Sequence, residues 1–120
     1  MNNHKDLEVR KQSLGLAKWV YELTGAFPKD EQFGLTSQMR RAAVSIPSSI
    51  AEGAARQGRR QFAPFLPIAL GSASELDTQA EIARRIGFGS PEALMALQHA
   101  TEQFQRLLYG LIRSLKARQS

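Results

Sequence analysis

Seven residues in the last third of the chain, Leu94, Leu97, Thr101, Phe104, Leu108, Leu111 and Leu115, are separated by alternating steps of three and four. An α-helix returns to the same face every 3.6 residues, so the row forms one stripe along a rod of about six turns. Such a rod gains little stability alone and must bury its stripe against other elements. Ser90 suits the N-cap, Pro91 the first helical position, where no backbone N–H is needed, and Glu92 the positive end of the helix dipole. A helix over 91–116 is predicted.

Upstream, Phe62, Leu66, Ala69, Ala73, Leu76, Ala80 and Ala83 repeat the spacing, and Gly87-Phe88-Gly89 closes a helix predicted over 60–86. Pro64 is tolerable in its first turn; Pro67 lies further in and should bend the helix or delay its regular start. Gly71 and Ser72 remove bulk where a neighbouring backbone can come close. Leu35, Met39, Ala42, Ile46 and Ile50 mark another helix over 35–56. Pro47 frees the carbonyl of Ala43, so a kink is expected there, with Ser45, Ser48 and Ser49 available to satisfy the loosened backbone. The first helix, over 5–24, carries two apolar rows: Leu7, Leu14, Ala17 and Tyr21, then Leu16, Val20 and Leu23 continuing to Phe27.

Links at 25–34, 57–60 and 87–90 are short, which forces consecutive helices antiparallel. The expectation is all-α: an up-down-up-down four-helix bundle forming one domain over 1–120. The second row on the first helix, with Ile68, Leu70 and Ile82 off the third-helix seam, is surplus apolar surface. A monomer seldom exposes a large contiguous patch, so homo-oligomerisation is the preferred account; a broader core stripe is the alternative.

Hydrophobic residues make up 42% of the chain, enough for a core, and the absence of cysteine excludes disulfides and thiolate chemistry. The opening Met-Asn-Asn-His-Lys-Asp lacks the apolar core of a signal peptide, and no apolar run approaches the roughly 20 residues that span a bilayer. A cytoplasmic protein without a membrane partner is expected. Net charge is +5 and it is local. From Thr36 to Arg60 five arginines (Arg40, Arg41, Arg56, Arg59, Arg60) face one acid, Glu52, a net of +4. Beyond Glu102, Arg106, Arg113, Lys116 and Arg118 have no acid among them, another +4.

Arg40 and Arg41 are adjacent on a helix and point about 100° apart, so they cannot face the same way. One reading places at least one on a polyanion-binding surface; the other pairs them with Glu75, Asp77 or Glu81 of the next helix. Glu52 and Arg56 are spaced to pair along the helix. Gly58-Arg59-Arg60 puts two cations at a helix start, against the dipole unless an anion binds; two solvated arginines are the plainer account. Arg106, Arg113, Lys116 and Arg118 can track a phosphate backbone or complement the negative end of their helix. His4 and His99 stand alone, outside any metal-ligand spacing. Helical RNA-cleaving toxins of the HEPN type carry an Arg four to six residues before a His, and the nearest preceding Arg to His99 is Arg85. Trp19 and Tyr21 read as packing anchors, with base-stacking platforms as the alternative. No catalytic, cofactor or metal site is predicted.

The stretch 35–53 resembles a family. Leu35, Gln38, Arg40, Arg41, Ala42, Ser45, Ile46, Pro47, Ile50, Ala51, Glu52 and Gly53 match the pattern of the four-helix bundle proteins encoded in intervening sequences of bacterial 23S rRNA genes. A second block matches at Phe62, Phe65-Leu66, Ile68-Ala69, Gly71-Ser72, Glu75-Leu76 and Thr78, and Asp6-Leu7-Glu8-Val9 and Phe27-Pro28 extend the match. Ser49 stands where that pattern has Asn, Asp77 where it has Glu, and Pro67 is outside it. The resemblance implies a compact antiparallel bundle that associates into ring-like homo-oligomers, pentamers among them, with a largely undefined role. A related group, the accessory proteins of diversity-generating retroelements, is basic and associates with reverse transcriptase and nucleic acid. The functional expectation is a non-enzymatic homo-oligomer, without cofactor, that binds RNA or DNA irrespective of sequence through Arg40, Arg41, Arg56, Arg59, Arg60, Arg106, Arg113 and Lys116. A structural or protein-interaction scaffold is the alternative.

Overall fold

The computed structural model describes residues 4–55 and 63–119, with backbone alone at Arg118 and Gln119. Four helices make up nearly all of it: α1 (His4–Thr24), α2 (Leu35–Ala55), α3 (Phe65–Ile86) and α4 (Pro91–Gln119), with a 3-10 turn at Lys29–Glu31. At about 1.5 Å per residue these rods are about 31 to 44 Å long. The molecule measures 48 × 22 × 18 Å, so they lie side by side along its long axis. Each helix packs on the next, and α4 closes the ring against α1. The seam between α3 and α4 shows the antiparallel register directly: Ser74 meets Gln105, and Glu81 meets Gln98 seven residues further along α3 and back along α4.

Met39, Ala42, Ile46 and Ile50 of α2 are buried, as are Leu66, Ala69, Ala73, Leu76, Ala80 and Ala83 of α3. All seven residues of the α4 seam are buried too. Thr101 is accommodated because its hydroxyl donates to the Leu97 carbonyl at 2.8 Å. On α1 the interior takes the row Leu16, Val20 and Leu23, extended by Val9 and by Phe27 beyond the helix. This reverses the sequence reading, which made that second row the surplus. The first row stays out instead, with Leu7, Leu14 and Tyr21 exposed to 54%, 56% and 48%, and Leu70 of α3 packs partly against the core. Two rows diverging around a helix cannot both point at one core, and the ring of four has a single interior.

The helix ends follow the sequence closely. Gly87 takes φ 82°, Phe88 N–H donates to Ala83 carbonyl at 2.9 Å and Gly87 N–H to Arg84 carbonyl at 3.3 Å, a Schellman closure of α3. Ser90 caps α4 by accepting the Ala93 N–H at 3.2 Å. Gly89, at φ 69°, lies against Phe27: a Cβ there would come within 2.9 Å of the ring. Phe27 and Phe88, 5.7 Å between centroids, thus tie the exit of α1 to the α3–α4 connection.

Four further details differ from the sequence reading. Ala63 and Pro64 form a turn and α3 starts at Phe65, so Pro67 is its third residue and interrupts no helical hydrogen bond; residues 60–62 lie outside the described residues. A Cβ on Gly71 would meet nothing within 4 Å, so no neighbouring backbone comes close there; Ser72 is the buried member of the pair. Ser45 does not serve the Pro47 backbone; its hydroxyl pairs with that of Ser72 at 2.8 Å, while α2 runs unbroken through the proline. Finally, α4 continues to Gln119 rather than ending near Lys116.

Candidate binding surface

Arg40 is committed within the fold. Its Nε donates to Thr24 Oγ1 at 2.9 Å, and Thr24 in turn donates to the Val20 carbonyl at 2.7 Å. Nη2 reaches the Tyr21 carbonyl at 3.4 Å, and the guanidinium lies 4.6 Å from the centre of the Tyr21 ring. The cation therefore sits on the last turn of α1, where carbonyls are unpaired and the dipole is negative. Tyr21 anchors Arg40 across the α1–α2 seam instead of packing inward, whereas Trp19 is half-buried against the core.

Arg41, 100° further round α2, is exposed and makes no hydrogen bond or ion pair with the described residues. It borders two grooves. One, of about 450 Å³ between α1 and α2, is lined by Tyr21, Phe33, Thr36, Arg40 and Val44 among others. The second, of about 250 Å³ between α2 and α3, holds Gln38, Ser45, Ser72 and Glu75. Residues from both matching sequence blocks meet in that second groove.

Of the α3 acids offered to Arg40 and Arg41 by the sequence, Glu75 shares the second groove with Arg41 without an ion pair between them, and the other two are placed otherwise. Glu81 pairs with Arg84 at 2.8 Å and Arg85 at 3.0 Å on its own helix, and accepts from Gln98 of α4 at 3.1 Å. The Arg85 hydrogen bond, then those of Gln98 and Arg84, hold its carboxyl below the ordinary value near 4.5. Asp77 is the reverse: burial first, then Glu102 and Glu81, push it above 3.8, and its Oδ1 is buried without a hydrogen-bond partner. Two like charges face each other across α3 and α4 with Glu81 adjacent, which disfavours ionisation of the most buried one.

Arg106, Arg113 and Lys116 all project from the outer face of α4, opposite the buried Phe104, Leu108 and Leu111, and none bonds to the described residues. Tyr109 lies among them, 50% exposed. Sequence reasoning passed over it, although its place between Arg106 and Arg113 on one helix face was readable. Arg56, Arg59 and Arg60 lie outside the described residues, and so does the Glu52–Arg56 pair. His4 and His99 are exposed, and among the described residues no group of three or more His, Cys, Asp or Glu is placed to hold a metal. No helix of the described residues is long and apolar enough to cross a membrane.

These features define a class: a four-helix bundle whose conspicuous groups are cations and apolar side chains directed at solvent. The chain belongs to the family of the 23S rRNA-intervening sequence protein, whose model matches residues 5–110. It is similar to a crystal structure of a protein with unknown function from the S23 ribosomal protein family of Bacteroides thetaiotaomicron VPI-5482. The TM-score is 0.83 at 26% identity, covering 91% of this chain and 98% of that one. No curated protein matches the sequence. Neither the family nor the structural neighbour carries an enzymatic description.

Proposed function

We propose that this protein is a non-enzymatic bundle that associates with copies of itself and holds RNA or DNA by sequence-independent contacts to phosphates. The observation that carries the reading is the set of exposed cations, Arg41, Arg106, Arg113 and Lys116, none neutralised by an anion of the described residues. Unpaired guanidinium and ammonium groups are the chemistry that binds phosphodiester backbones. Arg56, Arg59 and Arg60 add to the same role. Arg40 takes part as the fixed wall of the α1–α2 groove that Arg41 also borders.

Self-association is supported by the half-exposed row Leu7, Leu14 and Tyr21 on α1 and by Ile68 and Ile82 on α3, which α1 faces diagonally across the ring. Different faces on opposite sides favour head-to-tail contacts, which close into rings when the rotation permits. A pentamer is the number the family resemblance suggests. Several copies of a weak phosphate site gain avidity without a tight single contact. The cytoplasm is the compartment in which such a protein meets RNA and DNA.

Labelled RNA and DNA of unrelated sequences, titrated at rising salt, test the reading. The logarithm of affinity is expected to fall linearly with that of salt, by about 0.9 per duplex phosphate contact, with similar slopes for all sequences. Absence of association even at low ionic strength ends the proposal. A scaffold role has one specific observation in its favour, the use of Arg40 to fasten α1 to α2. On that reading, replacing Arg40 and Arg41 dissociates the oligomer, and an unchanged mass with lost nucleic-acid binding counts against it.

A further inference from the structure

The outer face of α4 brings an aromatic ring into a run of cations. Arg106, Tyr109, Arg113 and Lys116 follow at steps of three, four and three, so they share one face along about 15 Å of helix. Tyr109 has a cation one turn before it and another one turn after it. From Gln103 to Ala117 the helix contains no acid. The first turns of α3, which pack beside this part of α4, contain no charged residue from Phe65 to Ser74. On the α1 side, Asp6 is buried, and Glu8 accepts a hydrogen bond from Gln12 at 2.9 Å.

Two tyrosines of the bundle are about half exposed, and their environments differ. The Tyr21 ring has Arg40 over it at 4.6 Å. Among the described residues no cation lies over the Tyr109 ring, and none bonds to its hydroxyl. Arginines alone account for attraction to any polyanion, duplex or single strand. An uncovered ring between them adds a π-face on which a base can stack, and in a duplex the bases are already stacked on one another.

We infer that this face of α4 is a single-strand site: Tyr109 stacks on an unpaired base while Arg106, Arg113 and Lys116 neutralise the phosphates on either side. The inference rests on the nucleic-acid reading above and narrows its ligand to single-stranded RNA or DNA. Stacking is sequence-tolerant, because every base has a π-face, so it preserves the absence of sequence specificity.

The test compares the intact protein with Tyr109→Ala, Tyr109→Phe and Arg113→Gln. Each is titrated by fluorescence anisotropy with a labelled single strand, the matching duplex, and polyglutamate of equal charge as competitor. Single strands are expected to bind more tightly than duplex and to resist polyglutamate. Tyr109→Ala is expected to lose roughly 5- to 100-fold in single-strand affinity with duplex binding unchanged, and Tyr109→Phe to restore it. Arg113→Gln should reduce the single-strand salt slope by about 0.7. Melting curves and light scattering on each variant check that fold and assembly are intact.

Equal single-strand affinity for Tyr109→Ala and the parent, with binding otherwise retained, overturns the stacking site and leaves the phosphate-binding proposal standing. Displacement by polyglutamate as effective as by nucleic acid also overturns it, assigning the face to an acidic protein. Failure of the parent to bind any nucleic acid removes both.

Discussion

Two side chains illustrate how partners, rather than residue type, decide what a charge does. Arg40 and Arg41 are neighbours in sequence, yet one fastens a helix end and the other reaches solvent unpaired. Arg40→Met keeps much of the aliphatic stem but removes the donors to Thr24 and the Tyr21 carbonyl, and should cost about 1–2 kcal/mol in denaturant unfolding. Arg41→Gln should leave stability nearly unchanged. Asp77 and Glu81 act in opposite senses. Glu81 has a lowered folded value, so its contribution is present above about pH 4.5 and is lost as pH falls through that lower value. Asp77 has a raised folded value, so its ionisation destabilises the fold above that value. The penalty is relieved as pH falls through it toward 3.8. Asp77→Asn should therefore raise the melting temperature at neutral pH, and the gain should shrink in acid; a gain independent of pH would contradict the electrostatic cause.

At the scale of elements, the helix ends are as informative as the helices. The α2 start depends on Glu31, whose Oε1 accepts the Leu35 N–H at 3.0 Å, in a space that a Cβ on Gly34 would enter at 2.6 Å. The α3–α4 connection depends on Gly89, where positive φ and the Phe27 ring both exclude a side chain. Gly89→Ala should cost about 1–3 kcal/mol, read as an earlier thermal transition. The seams of α2, α3 and α4 were legible because one stripe per helix leaves no choice of inward face. Pro67 was harder to read: its consequence depends on where the first turn lies, and only the turn at Ala63–Pro64 sets that. Ser45 was misread for a related reason. Local spacing suggested a backbone partner, and the nearest hydroxyl belongs to a residue 27 positions away.

At the scale of the whole molecule, the exposed row on α1 and the cations on α2 and α4 are what remain after the ring has closed. Leu14→Glu leaves the interior untouched, because Leu14 is 56% exposed. It should nevertheless convert a multimer to a species near 13.3 kDa in light scattering. A parent already of that mass would remove the assembly from the proposed function.

What the sequence determined by itself was periodic and local: four amphipathic rods, the Schellman end of α3, the Ser90 cap and the uneven placement of charge. Those properties act over one or two turns, so neighbours along the chain suffice to specify them. Tertiary structure alone decided which α1 row went inside, that Arg40 would be held and Arg41 left unpaired, and that Tyr109 would keep its ring uncovered. Each of these depends on what a different helix presents across a seam, and spacing within one helix contains no information about its neighbour.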